Sequence, residues 1–107
     1  MINCTEQGLK EIVKEGKPVV VIAHTDWCCE CRRVLPLLKA LETDKQYKRS
    51  VVFAEINADT VSDTYIRDFG VQLLPTINVV TTATVYPPCK KIDTEKSIKE
   101  YIDACLI

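Results

Sequence analysis

The chain has 107 residues, a length that suits one domain and buries roughly two thirds of its unfolded surface, enough for an apolar core without covalent staples. Apolar residues make up 47% and charged residues 27%, a globular composition that excludes the disordered and fibrous classes. The net charge of −1, with no basic run longer than the pairs Arg32-Arg33 and Lys90-Lys91, argues against a nucleic-acid partner.

No stretch approaches the roughly 18 consecutive apolar residues of a membrane span. The opening Met1-Ile2-Asn3-Cys4-Thr5-Glu6 lacks the basic and then apolar pattern of a secretory signal. The expectation is a cytoplasmic chain without membrane association. Six cysteines (Cys4, Cys28, Cys29, Cys31, Cys89 and Cys105) are enough for three disulfides, yet three of them crowd into four positions, a poor framework for stapling. Cys105 continues an apolar stripe as a small hydrophobe, and spacing alone assigns no function to Cys4 or Cys89.

Residues 3–15 read as a helix capped by Asn3 or Thr5, with Leu9, Ile12 and Val13 on its apolar face and Gly16 as its stop. Met1-Ile2 adds at most a short leading strand. The β-branched run Val19-Val20-Val21-Ile22-Ala23 is continuous rather than alternating, as in a strand covered on both faces. Val34, Leu35, Leu38 and Leu41 then recur at helical spacing, interrupted by Pro36, where a kink is expected. Polar residues 43–50 read as a loop.

The next strand is Val51–Ile56. Asn57-Ala58-Asp59-Thr60 turns the chain into a third helix carrying Val61, Tyr65, Ile66 and Phe69 and ending at Gly70. Thr76–Val80 and Thr84–Tyr86 read as a hairpin whose second strand is an edge, because Pro87-Pro88 cannot continue a central ladder. The last helix carries Ile98, Tyr101, Ile102, Cys105 and Leu106, with Asp93 or Thr94 as cap. The resulting order α-β-α-β-α-β-β-α implies an α/β fold, a mixed sheet with helices on both faces.

The chemistry concentrates in Trp27-Cys28-Cys29-Glu30-Cys31, between the first long strand and the second helix. At a helix start, unpaired backbone N–H groups and the positive end of the dipole favour a thiolate on Cys28. Cys31, one turn on, is close enough to close a disulfide with it, and a Cys-x-x-Cys after a strand reads as a redox motif. A Cys28–Cys31 staple would contribute only about 2 kcal/mol by chain entropy, because the loop is so short.

The whole pattern resembles the thioredoxin family. The family signature is Trp-Cys-Gly-Pro-Cys at the start of a helix with a proline five residues after the second cysteine; here Pro36 follows Cys31 at that spacing. The family's glycine, four residues and Ile-Pro-Thr, with a cis proline, is matched by Gly70 and Leu74-Pro75-Thr76. The resemblance implies a thioredoxin fold over 1–107, with Cys28 and Cys31 as the redox couple and no other cofactor. It also implies Trp27 and Pro75 beside the substrate, and Leu74 offering its backbone to an extended chain as a short β-augmentation.

Four positions depart from the family pattern. Cys29-Glu30 replaces Gly-Pro between the cysteines, and Ile22 replaces the buried aspartate that handles the second cysteine's proton. Glu55 stands for its lysine partner, and Lys91 falls at or near the groove glycine. Glu30 adds a charge that opposes the thiolate. His24, four residues before Cys28, is the only histidine and a candidate proton acceptor, although a solvent-facing strand-end histidine is the plainer reading.

The expected activity is thiol–disulfide exchange on protein substrates by a monomer, recharged by an electron donor of the thioredoxin-reductase type. Two other readings compete. Cys28, Cys29 and Cys31 together are three soft ligands for Cu(I), Zn²⁺ or a shared iron–sulfur cluster. Alternatively, Ile22, Glu55 and Lys91 mark a binding module that has lost turnover.

Overall fold

The computed structural model describes all 107 residues. Eight elements follow in order: β1 (Ile2–Cys4), α1 (Glu6–Lys14), β2 (Val19–His24), α2 (Cys29–Glu42), β3 (Val52–Asn57), α3 (Asp63–Phe69), β4 (Thr76–Val80) and α4 (Glu95–Leu106). The strands form one sheet in the order β1-β3-β2-β4, parallel between β1, β3 and β2 and antiparallel between β2 and β4. No helix is long and apolar enough to cross a membrane.

The Val19–Ala23 run is the middle of this sheet and buried throughout, as a strand bonded on both edges and covered on both faces must be. Its alternation divides the core. Val20 and Ile22 pack with Val34, Leu38 and Leu41 of α2 and Ile98 and Ile102 of α4. Val19, Val21 and Ala23 pack on the other side with Leu9 of α1 and Tyr65 of α3.

Three boundaries differ from the sequence reading. The first helix begins only after a strand: Thr5 is its cap, accepting the Gly8 N–H at 3.0 Å, and residues 2–4 pair in register with Ala54–Ile56. Pairing with β3 outweighs the helical pattern there, because an extended edge satisfies backbone groups that a one-turn extension of α1 would leave exposed. The third helix runs from Asp63 with Ser62 as its cap, the Ser62 hydroxyl accepting the Tyr65 N–H, so Val61, expected on the helix, lies in the turn that follows β3. The polar stretch 43–50 contains a core residue: Tyr47 is buried and its hydroxyl bonds the Asp103 carboxylate of α4.

The expected second hairpin strand is the largest difference. Thr84–Tyr86 forms no strand, only a bridge between Val80 and Val85, and the chain then follows the β4 edge with single hydrogen bonds. Tyr86 donates to the Val79 carbonyl and Cys89 to the Ile77 carbonyl, both at 2.9 Å. On the same edge the Val79 N–H is met not by a backbone carbonyl but by the Tyr101 hydroxyl at 3.1 Å, which in turn donates to the Pro87 carbonyl at 2.7 Å. A side chain of α4 thus supplies the acceptor for this N–H on the β4 edge. The buried Asn78 holds the same segment from the opposite face, donating to the Phe69 and Tyr86 carbonyls at 2.9 and 3.0 Å.

Gly70 closes α3 in the left-handed region (φ 68°), and Pro88 lies where a side chain at Gly70 would project, 3.2 Å from an ideal Cβ. Thr94 caps α4 in a reciprocal box with Ser97.

Candidate active site at the start of α2

Cys28 is the N-cap of α2. Its extended backbone leaves the sulfur facing the open first turn, where it accepts the Cys31 N–H at 3.2 Å. The α2 helix holds this turn firmly because Val34, Leu38 and Leu41 are fully buried beneath it. Pro36 lies inside the helix, which continues to Glu42 without interruption.

The two thiols are not equivalent. Cys28 is 8% exposed and Cys31 is 0% exposed, and both are free. Burial pushes the Cys31 thiol up to about 12, the neighbouring Cys28 adds to the rise, and a backbone hydrogen bond at Thr25 opposes it. Cys31 therefore stays protonated near neutrality.

Cys29 is exposed, one residue after Cys28 and two before Cys31. The three motif sulfurs do not converge as a ligand set, and no group of three or more His, Cys, Asp or Glu side chains is arranged to hold a metal ion.

Glu30 does not stand as an isolated negative charge. Arg33, one turn on, pairs with its carboxylate and extends two further N–H groups to the Asp93 and Ile92 carbonyls, each at 3.0 Å. The acid that was expected to disfavour the thiolate is partly neutralised, and the same arginine ties the motif to the segment before α4. This pairing was open to view in the i, i+3 spacing of Glu30 and Arg33; the carbonyl contacts were not, since they join residues sixty apart.

Trp27 is 67% exposed, with its indole N–H donating to Asp59 at 3.0 Å. Asp59 in turn follows Asn57, whose side chain accepts the Asp59 N–H at 2.8 Å. Sequence reasoning treated Asp59 only as part of a turn, and the turn is what brings it beside the tryptophan.

His24 ends β2 and bonds Glu55 through Nε2 at 3.2 Å, with both side chains largely covered. It does not simply face solvent. His24 lies two residues beyond Ile22 and Glu55 two beyond Phe53, so both share the sheet face that α2 covers. Ile22 itself is fully buried in the apolar core.

The Leu74–Pro75 peptide is cis, and Pro75 is buried. The Thr76 hydroxyl donates to the Leu73 carbonyl at 2.6 Å, bracing the turn. Leu74 contributes neither its N–H nor its carbonyl to the chain's own hydrogen bonds. A cavity of about 480 Å³ adjoins Pro75, walled by Leu73, Thr76, Pro88, Cys89 and Ile92. Lys91, at or near the family glycine, is exposed.

A family model described as Thioredoxin matches residues 1–104. Thioredoxin of Porphyra purpurea is 27% identical over 97 residues, covering 87% of this chain and 88% of that protein. A chloroplastic thioredoxin-like protein of Arabidopsis thaliana is 36% identical over 67 residues, which are 62% of this chain and 25% of that protein. Among solved structures, the thioredoxin of Plasmodium falciparum superposes with a TM-score of 0.79 at 19% identity, over 97% of this chain and 98% of that one.

Proposed function

Because this chain belongs to the thioredoxin family across residues 1–104, a family of thiol–disulfide oxidoreductases, we propose that it reduces disulfides in protein substrates through a Cys28/Cys31 couple. The observation that carries this reading is the asymmetry of the two thiols: a helix-capping Cys28 that keeps a small exposed area and a wholly buried, protonated Cys31 one turn behind it.

Cys28, as thiolate, attacks one sulfur of the substrate disulfide, expelling the other as a thiolate and forming a mixed disulfide. Cys31 then gives up its proton and attacks Cys28 Sγ, releasing the second substrate thiolate and leaving Cys28–Cys31. The substrate gains two electrons and the enzyme loses them. His24, held by Glu55 on the face that α2 covers, is the group to which we assign the Cys31 proton, in place of the aspartate that Ile22 replaces.

Substrate lies extended along Leu74, whose free backbone groups accept a short β-type pairing, with Trp27 and Pro75 on either side of the scissile bond. In this reading the chain works as a monomer in a reducing, cytoplasmic setting. An electron donor of the thioredoxin-reductase type returns it to the dithiol, and the Cys28–Cys31 bond is its only cofactor.

The test is reduction of a protein disulfide with dithiothreitol as donor. Wild-type protein turns over and Cys28→Ser does not, while Cys31→Ser accumulates a mixed disulfide through Cys28. His24→Gln slows only the second step, so that the mixed disulfide builds up transiently. Turnover that survives Cys28→Ser would sink the assignment, and a metal that co-purifies with the wild type and leaves with Cys29→Ser would favour the three-thiolate reading instead.

A further inference from the structure

We propose that Cys89 and Cys105 are a second dithiol, separate from Cys28 and Cys31, that closes into an intramolecular disulfide when a low-molecular-weight disulfide supplies the oxidising equivalents.

The two residues are far apart in sequence and meet through Tyr101. Cys105 lies one helical turn after Tyr101 on the same face of α4, and Cys89 lies two residues after Pro87, whose carbonyl accepts from the Tyr101 hydroxyl. Both cysteines, with Pro88, Ser97, Glu100 and Tyr101, wall one surface cavity of about 450 Å³. Both are free and only part-covered, so a small oxidant reaches them. The backbone of Cys89 is fixed by its bond to Ile77 at 2.9 Å, and its thiol donates to the Lys91 carbonyl at 3.2 Å, an interaction given up on oxidation without leaving a charge behind.

The thiols also sense one another. Burial pushes Cys89 up to about 11, a backbone hydrogen bond at Lys91 opposes the rise, and the charge of Cys105 adds to it. Burial raises Cys105 as well, with a hydrogen bond from Tyr101 drawing it back. Exchange at this pair is therefore slow near neutrality and quickens with pH.

In the reaction, one protein thiolate attacks R–S–S–R, releasing R–S⁻ and leaving a mixed disulfide on the protein. The second thiolate attacks the protein sulfur of that bond and expels the other R–S⁻. Two protein thiols are oxidised, one small disulfide is reduced to two thiols, and the two protons end on the released thiolates. The new bond joins the last turn of α4 to the segment that also walls the cavity beside Pro75.

The experiment uses the full chain carrying Cys28→Ser and Cys31→Ser, titrated at alkaline pH with oxidised and reduced glutathione, alkylated in denaturant, digested and mapped by mass spectrometry. The expected result is a peptide pair joined through Cys89 and Cys105, two hydrogens lighter than its free thiols, appearing in one two-electron step. Adding Cys105→Ser abolishes it and leaves a glutathione adduct on Cys89. Free thiols at both positions, separate adducts on each, or bonds from either to Cys4 or Cys29 overturn the proposal. Wild-type protein mapped in parallel separates the two pairs peptide by peptide. It decides the question even if the double variant does not fold, and it reports Cys28–Cys31 independently.

Discussion

The start of α2 and the connection from β4 to α4 each bring two cysteines together, by opposite means. At α2 a single helical turn does it: Cys28 caps, Cys31 follows, and a fully buried stripe holds the turn on the central strand. Between β4 and α4 the neighbours are sixteen residues apart in sequence (89 to 105), and they share the wall of one cavity with Tyr101. The first pair inherits its geometry from local structure. The second depends on tertiary contact between two elements, with Cys89, Tyr101 and Cys105 all packed at the margin of the core.

Removing apolar volume under α2 strikes the first pair hardest. Leu38→Ala deletes part of a fully buried side chain and should cost about 2–5 kcal/mol in urea unfolding. The Cys28–Cys31 potential should then shift together with stability; a cost below about 1 kcal/mol would mean that the turn does not rest on this packing.

Tyr101→Phe acts on the other region. The Val79 N–H and the Pro87 carbonyl lose their shared partner, for an expected loss of about 1–3 kcal/mol. Amide exchange at Val79 should rise far more than exchange in β2, and reduction of substrate through Cys28 should be unchanged. Equal acceleration in both strands would erase the distinction between the regions.

Alkaline pH sharpens the comparison further. Folded Cys31 holds its proton up to about 12, whereas the unfolded thiol loses it near the usual value of about 8.5. In that window the native state binds more protons than the unfolded state, so stability falls as pH rises, by up to about 1.4 kcal/mol per pH unit for this group. Below the window the contribution is intact. Oxidation to Cys28–Cys31 removes the group, so the reduced protein should show the steeper decline in stability in denaturant titrations across this range. Cys89, raised to about 11 and part-covered, should add a smaller slope that Cys89→Ser removes.

The smallest effect is at Glu30. Its charge is shared with Arg33 on an exposed face, so Glu30→Gln should favour the Cys28 thiolate by no more than about 0.3–1 kcal/mol, raising the potential by about 6–20 mV. A glutathione titration giving a fall in potential would show that the carboxylate, through Arg33, organises the loop at Ile92–Asp93 rather than opposing the thiolate.

Where short-range patterns govern, the amino-acid order was sufficient by itself. The continuous β-branched run had to be an interior strand, the apolar spacing of α2 and α4 placed Ile98, Ile102, Leu38 and Leu41 in the core, and the Cys-x-x-Cys spacing put two thiols on adjoining sides of a helix start. What the tertiary structure alone decided are events of long sequence separation. Residues 2–4 are a strand only because β3 offers an edge. Tyr47 is in the core only because Asp103 takes its hydroxyl. Thr84–Tyr86 adds only an isolated bridge to β4, and the Val79 N–H on that edge finds its acceptor in Tyr101 of another element. Local propensity reads neighbours within a turn or two along the chain, and carries no information on which distant group will satisfy a buried N–H.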